Sequence, residues 1–359
     1  MSSKVLIIVG GMVNRLPHVE LYLKQYDNYS IKYDIIEWNR HNDSVTEENN
    51  RYIYNRKISD LSPFYVKLVE IFKFSLFVKK IIKRNRYNRI ITFTIADSLF
   101  LIPFLIKKFT KKYIFDIRDY SPLCKLPFFN FILRRFINKS YATCISSNGF
   151  KHWLPKGCNY IISHNIDLSL CSSDNKCLFE SSKSVLDLLT IGRLRDFESN
   201  KIIIDQLSNC NNVKMRFVGD GNAKPLLENY CKKNDCKNVY FYGFYKKEDE
   251  SSFYNECDFL NICLTDNILS NYLMSNRFYL SVIHRKPMIV NEGSYQAEVC
   301  QRYGLGLVVN YKDNIMEKLQ SYRNRFDSDL YEKRCNQFIY DVKKEQIIFE
   351  NIILDFVKS

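Results

Sequence analysis

Residues 185–201 read VLDLLTIGRLRDFESNK. The run Val185–Ile191 is too apolar for a strand with one wet face, and it predicts a strand of a parallel sheet covered by helices on both sides. Gly192 ends the strand, and a helix is expected to start near Ser199 or Asn200. Arg193, Arg195 and Lys201 then stand at the carboxyl end of a strand, the edge at which open α/β sheets bind ligands. Cations beside helix N-terminal N–H groups suit a diphosphate. The alternative is an αβ loop whose basic residues are merely solvated.

The same alternation extends in both directions. In the first half KVLIIVG (4–10), YDIIEW (33–38), RIITFTI (89–95), KYIFDI (112–117), ATCISS (142–147) and NYIISHN (159–165) predict strands. Helical patterns separate them over 17–26, 63–84, 96–109 and 128–138, the arrangement of βαβ units. In the second half VLDLLTIG (185–192), VKMRFVGDG (213–221), VYFYGF (239–244), PMIVN (287–291) and LGLVV (305–309) predict strands, with helices over 201–207, 225–233, 248–257, 272–284 and 295–303. The Ser-rich stretch 168–184 shows no sustained period and is the expected linker. Two doubly wound Rossmann-like domains are therefore expected, 1–167 and 185–335, with a ligand cleft between them. Residues 336–359 are expected to form a C-terminal helix, packing back towards the first domain.

A chain of 359 residues exceeds what one core usually supports, and 46% hydrophobic with 26% charged residues describes a globular protein. The twelve cysteines are dispersed with no Cys-x-x-Cys pair, so buried reduced thiols are expected and no metal site. No apolar run approaches the ~18 residues of a spanning helix, and the amino terminus reads as a first strand and turn rather than a signal peptide. The sequence reading thus places the protein in the cytoplasm.

The net charge of +14 calls for an anionic partner. Basic and aromatic residues crowd 67–89, 104–113 and 128–140. Helices of this composition lie in a membrane interface, or else bury the apolar side and solvate the basic one. Three such segments in one half favour a peripheral position at the inner face of the cytoplasmic membrane.

TIGRLRDFESNK (190–201), RFVGDGNAKPLLENY (216–230), VYFYGFYKKED (239–249), FYNECDFLNICL (253–264) and SNRFYLSVIHRKPMIVN (275–291) follow one another in an order that resembles the nucleotide-sugar domain of GT-B glycosyltransferases. The likeness is to the family-4-like enzymes of bacterial capsule and O-antigen polysaccharide, and SHNID (163–167) resembles the signature closing their first domain. The resemblance implies a nucleoside-diphosphate-sugar donor, with UDP favoured, and neither metal nor other cofactor. It implies Arg193 and Lys201 on the diphosphate, with Gly192, Gly243, Phe244, Asn276 and Arg277 around the nucleotide; Gly219 and Gly221, after a predicted strand, either let backbone approach the nucleotide or form a plain strand-to-helix turn. Leu280 stands where the family has a glutamate; Glu292 and Glu298 are either its substitutes or surface carboxylates.

In the first domain Gly10, Gly11 and Arg15 are placed at the end of the first strand, where backbone can approach the sugar phosphate. Asp119, in FDIRDYSP (115–122), is the candidate catalytic carboxylate. The alternative reading pairs Asp116 with Arg118 and leaves Asp119 capping a turn. The resemblance implies retention, whereas a working Asp119 base would imply inversion. The expected protein is a glycosyltransferase acting on a glycan acceptor, undecaprenyl- or otherwise lipid-linked, for cell-surface polysaccharide, with no nucleic acid as partner. The rivals are a nucleotide-sugar 2-epimerase and a non-catalytic basic protein binding membrane or nucleic acid.

Overall fold

Chain order runs β1 (Val5–Val9), β2 (Tyr33–Asn39), β3 (Arg51–Asn55), β4 (Arg89–Phe93), β5 (Tyr113–Ile117), β6 (Ala142–Ile145) and β7 (Ile161–Ile162), then β8 (Leu186–Ile191), β9 (Val213–Val218), β10 (Val239–Tyr242), β11 (Phe259–Asn261), β12 (Met288–Asn291) and β13 (Gly306–Val309). The computed structural model describes residues 4–44, 49–59, 62–166, 168–171 and 183–359. Its strands form two sheets, ordered β3-β2-β1-β4-β5-β6-β7 and β10-β9-β8-β11-β12-β13. Every pairing is parallel.

Burial explains why these segments pair in parallel. All residues of β1 and of β8 are buried, which requires helices over both faces of each sheet. In each unit the chain starts mid-sheet, winds one way, then crosses back, so the helices divide between the faces by the right-handed crossover rule. In the first unit Val5, Ile7 and Val9 pack with Val19, Tyr22 and Tyr26 of the helix Pro17–Asn28 and with Phe349, Ile353 and Phe356 of the last helix. The helices Phe64–Asn85, Ile102–Lys108 and Pro127–Lys139 wind the other way and take the opposite face.

Two compact units result, Met1–Asn165 with Lys344–Ser359, and Ile166–Lys343. The sequence boundaries fall at 167/168 and 335/336; here the divisions lie between Asn165 and Ile166 and inside the helix Ser328–Lys358. That helix gives Tyr331, Cys335, Phe338 and Val342 to the second core before its last turns join the first. Of the expected linker, Leu168–Leu170 forms one 3₁₀ turn, while 172–182 lie outside the described residues, as does Asp167.

Several elements differ from their sequence patterns. The edge strand β3 is only half-buried and gives no alternation, and β11 is three residues long. The pattern over 96–109 divides at Leu101, because Pro103 is tolerated only in a first helical turn. The pattern over 272–284 is a short helix Ile268–Asn271 followed by Asn276–Ile283, and the helix Ile315–Asn324 was not anticipated.

Candidate functional site

In the second unit the chain leaves β8 towards β9 and returns to β11, so the loops after β8 and β11 flank the switch point. Asp196 fixes that opening. It caps the helix Phe197–Leu207 by accepting from Ser199 N at 3.2 Å, and it also takes Thr265 N and the Thr265 hydroxyl from the loop after β11. Burial would raise its pKa, yet the Thr265 and Ser199 hydrogen bonds hold it below the usual carboxylate range. Asn261 donates to Thr190 Oγ1 at 3.0 Å and to Asn200 Oδ1 at 3.2 Å, a buried polar network that joins β11 to β8 and to the helix Phe197–Leu207.

Beside this opening lies a cavity of about 590 Å³ lined by the turns after β8, β9 and β10. Gly192, Gly219 and Gly221 bring three backbones to its wall. A Cβ on Gly219 would stand 2.1 Å from Gly192 O, so the β8 and β9 turns touch only because that position is glycine. Gly192 has φ 101° with open space where a Cβ would point, which leaves its backbone accessible from the cavity. Phe244 also lines the wall and is 87% exposed. Gly243 lies one residue before it, and its carbonyl accepts from Gly219 N.

Arg193 stands on the cavity wall, exposed, and makes no ion pair with any described residue. Lys247 faces the same cavity from the β10 turn and pairs with Glu250, which also accepts from Tyr245 Oη at 2.9 Å. Asp220, Tyr245 and Lys247 were missed as individual residues; their only signal was the position of their turns after predicted strands. Lys201 does not reach this wall. The helix starts at Phe197, which turns Lys201 along the helix to Asp205 at 2.6 Å and over the Tyr230 ring at 4.9 Å.

Arg277 sits in the first turn of the helix Asn276–Ile283, beside the exposed Asn276. It is half-buried with no ion-pair partner among the described residues, and desolvation lowers its pKa while Tyr254, Asp196, Cys263 and Tyr245 oppose that shift. Gln296 secures the approach to this helix by accepting from Ser275 N at 3.0 Å and Ser275 Oγ at 2.7 Å. Leu280 packs against the core cluster that also holds Tyr245. Glu292 is exposed and accepts from Asn310, and Glu298 is exposed on the next helix.

The first unit has its own cavity, about 350 Å³, where the ends of β1 and β4 flank the other switch point. Gly10, Gly11, His18, Arg40, Asp97 and Asp119 are among its lining residues. A Cβ on Gly10 would stand 2.0 Å from Asp97 Oδ1, so glycine there makes room for a carboxylate of the chain itself. Asp97 accepts from Arg40 at 2.9 Å and from Thr94 Oγ1 at 2.9 Å; Thr94 caps the short helix Ile95–Ser98 by accepting from Asp97 N. Arg40, which the sequence pattern did not single out, also lies over the Trp38 ring at 4.2 Å. Asp119 is exposed at the wall, whereas Asp116 and Arg118 form a buried ion pair at 2.6 Å. Arg15 is not on this wall and pairs with Asp43 at 2.6 Å.

His284 stacks on Tyr254 with ring centroids 4.6 Å apart, and burial lowers its pKa from 6.5 to about 4. The folded ring is therefore neutral where the unfolded one takes up a proton, so its contribution to stability is full above about pH 6.5 and is lost as pH falls towards 4. His284→Phe keeps the stack without the titration. Its urea midpoint is expected to fall less than the parent's between pH 7 and pH 5, a difference of about 1–2 kcal/mol. Equal acid slopes for the two proteins would contradict the assignment.

Among the described residues no group of three or more His, Cys, Asp or Glu side chains could hold a metal ion. No helix there is long and apolar enough to cross a membrane.

No protein-family model matches the sequence, and neither does any curated protein. Solved structures do share the fold over the full length. Sucrose-phosphate synthase from Thermosynechococcus elongatus aligns with TM-score 0.68 at 12% identity, over 99% of this chain and 98% of that one. The lipopolysaccharide outer core galactosyltransferase WaaB aligns with TM-score 0.68 at 13% identity, over 98% and 99%. Anabaena HepE, solved in complex with UDP, aligns with TM-score 0.62 at 12% identity, over 98% and 99%. The architecture is GT-B: two parallel-sheet α/β domains of seven and six strands.

Proposed function

We propose that the chain is a glycosyltransferase that takes its sugar from a nucleoside diphosphate. The observation that carries this reading is the cavity at the β8, β9 and β10 turns. It combines accessible glycine backbone, an exposed aromatic ring and an arginine without an ion-pair partner among the described residues. A nucleotide fits that set: Phe244 stacks the base, Gly192 and Gly219 let the backbone approach, and Arg193 grips two phosphate oxygens. As the glycosidic bond to the diphosphate breaks, charge grows on the leaving oxygen, and fixed guanidinium groups at Arg193 and Arg277 stabilise it. These cations supply the neutralisation for which other transferases use a divalent ion, so the reaction is metal-independent. UDP is the favoured leaving group, in keeping with the bound UDP of the HepE structure.

The acceptor belongs in the first unit's cavity, with Asp119 against its hydroxyl. Retention follows from the family resemblance, and Asp119 then orients the acceptor while a leaving phosphate oxygen takes the proton. A lipid-linked glycan acceptor at the inner membrane surface, used in polysaccharide synthesis, agrees with the basic and apolar exterior of the same unit. Lys201 enters this scheme only by releasing Asp205.

The test is thermal melting with UDP, GDP, CMP, ADP and dTDP, with Arg193→Ala alongside. A ligand at ~100 times its Kd adds about 2.7 kcal/mol, a shift of several degrees. One nucleotide should raise the parent's midpoint and leave that of Arg193→Ala where it was. No shift with any nucleotide at saturation would overturn the donor reading and make Leu280, in place of an acid, the mark of a non-catalytic homologue.

A further inference from the structure

The first unit carries an apolar surface that its own fold does not use. The helix Phe64–Asn85 buries Ile71, Phe74, Val78, Ile81 and Ile82 against the sheet. Yet Tyr65, Val69, Phe72 and Leu76, at steps of four, three and four, form a second stripe on its outer side, and Tyr65 is 70% exposed. The helix Pro127–Lys139 does the same, burying Phe129, Leu133, Phe136 and Ile137 while Phe128, Phe131 and Ile132 stay outside, Phe131 at 70%. Isolated exposed apolar residues need no explanation, but two stripes on helices of one layer do.

Topology makes these stripes one surface. The two helices and Ile102–Lys108 between them take the same face of the sheet by the right-handed crossover rule. Phe72 meets Phe100 edge to face at 5.3 Å, and Lys79 Nζ donates to Phe100 O at 2.9 Å, which ties the first helix to the turn leading into Ile102–Lys108. Charge in this layer has one sign. Residues 64–86, 102–112 and 122–139 contain fifteen Lys and Arg against one acid, Glu70, which Lys73 already pairs.

Exposed aromatic residues concentrate towards one end of the layer, where Lys67, Lys73 and Lys125 accompany them. Crossover helices run against their strands, so helix N-termini lie at the carboxyl edge of the sheet. The exposed aromatics occupy the N-terminal parts of both long helices, and Lys80, Lys83, Arg84, Arg135 and Lys139 occupy the C-terminal parts. The apolar end is therefore at the edge that holds the first unit's cavity, whose wall includes Phe64 and Leu68 of one helix and Tyr120–Leu123 leading to the other.

We propose that this helix layer docks on an anionic lipid bilayer, with Tyr65, Phe72, Phe128 and Phe131 inserted between headgroups and the cations of the helix C-termini spread over them. Uniform positive charge beside an apolar edge that includes the aliphatic Val69, Leu76 and Ile132 fits an anionic lipid interface, whereas duplex nucleic acid would meet the cations through its phosphates and leave that edge uncovered. The purpose of the docking rests on the lipid-linked acceptor reading: the cavity opens beside the inserted edge, so an acceptor can pass from bilayer to cavity without leaving the interface.

Vesicle flotation of the full chain tests the docking without donor or turnover, so its result stands apart from the nucleotide melts. Phosphatidylglycerol vesicles should carry the protein up and phosphatidylcholine vesicles should carry about tenfold less. Phe128→Asp with Phe131→Asp should reduce the bound fraction about tenfold with the melting midpoint unchanged, and Tyr340→Asp, exposed in the other unit, should leave it unchanged. Phe131→Trp gives an independent reading, since its fluorescence should shift to the blue on phosphatidylglycerol vesicles. No flotation with either lipid overturns the proposal. So does flotation that ignores the Phe substitutions and disappears when single-stranded RNA is added, which would assign the surface to nucleic acid.

Discussion

Arg118→Met is expected to lower the stability of the first unit by about 3–5 kcal/mol, the cost of leaving a buried charge without its partner. Asp116 is fully buried, and its Oδ2 accepts from both Arg118 at 2.6 Å and Tyr22 Oη at 2.7 Å. Arg118 also donates to Ser163 O at 3.0 Å and Ser163 Oγ at 2.7 Å, tying the end of β5 to the segment after β7 across β6. Burial opposes the charge on Arg118, yet Asp116 and Tyr22 raise its pKa, so the group is cationic at every working pH. Without it, the buried Asp116 carboxylate keeps Tyr22 Oη as its hydrogen-bond donor but loses its charge partner. Asp116→Leu with Arg118→Met removes both charges and should recover much of the loss. Chemical denaturation of the three proteins decides the matter; a loss under about 1 kcal/mol for the single variant would show that the pair is not what joins these elements.

This pair also marks how far sequence carries the site. FDIRDYSP offered two readings of its charges, and no spacing rule separates a carboxylate facing a cavity from one facing a core. The division came from β5, which is buried throughout and sets Asp116 beside Tyr22, while Asp119 lies past the strand end. Apolar runs such as Val5–Val9 and Leu186–Ile191 were legible because burial on both faces leaves no other composition. β3 and β11 were not, being a half-buried edge and a three-residue piece whose place is set by neighbouring strands. The glycines of the β8 and β9 turns were legible for the same reason, since each follows a buried strand directly. Lys201 failed to reach the cavity because a shift of two residues in a helix start changes the direction of every later side chain by more than half a turn. Lys247, Arg40 and Tyr245 owe their positions to loops, whose course no periodicity predicts.

On the proposed donor reading, Arg277 is expected to link stability to function with opposite signs. Its guanidinium is half-buried, has no ion-pair partner among the described residues, and sits in the first turn of a helix, where backbone N–H groups add positive potential. A cation held there without a partner is unfavourable for the folded chain alone, and desolvation already lowers its pKa. Such a group is what a departing diphosphate requires, because its stabilisation is realised when an anion arrives and rises as charge accumulates on the leaving oxygen. Arg277→Met retains most of the side chain's apolar contact. It should melt at the same temperature as the parent or higher in the absence of nucleotide, and should lose the larger share of the nucleotide-induced shift. With the donor found by melting, kcat/KM should fall about 10²–10³-fold, as for removal of one fixed donor at a developing oxyanion. Arg277→Lys should recover only part of this, since one ammonium cannot grip two oxygens. A lower melting point with unchanged turnover would reverse the assignment and make Arg277 a structural arginine of the second core. Unchanged stability with a large loss of turnover would place the charge where the diphosphate leaves.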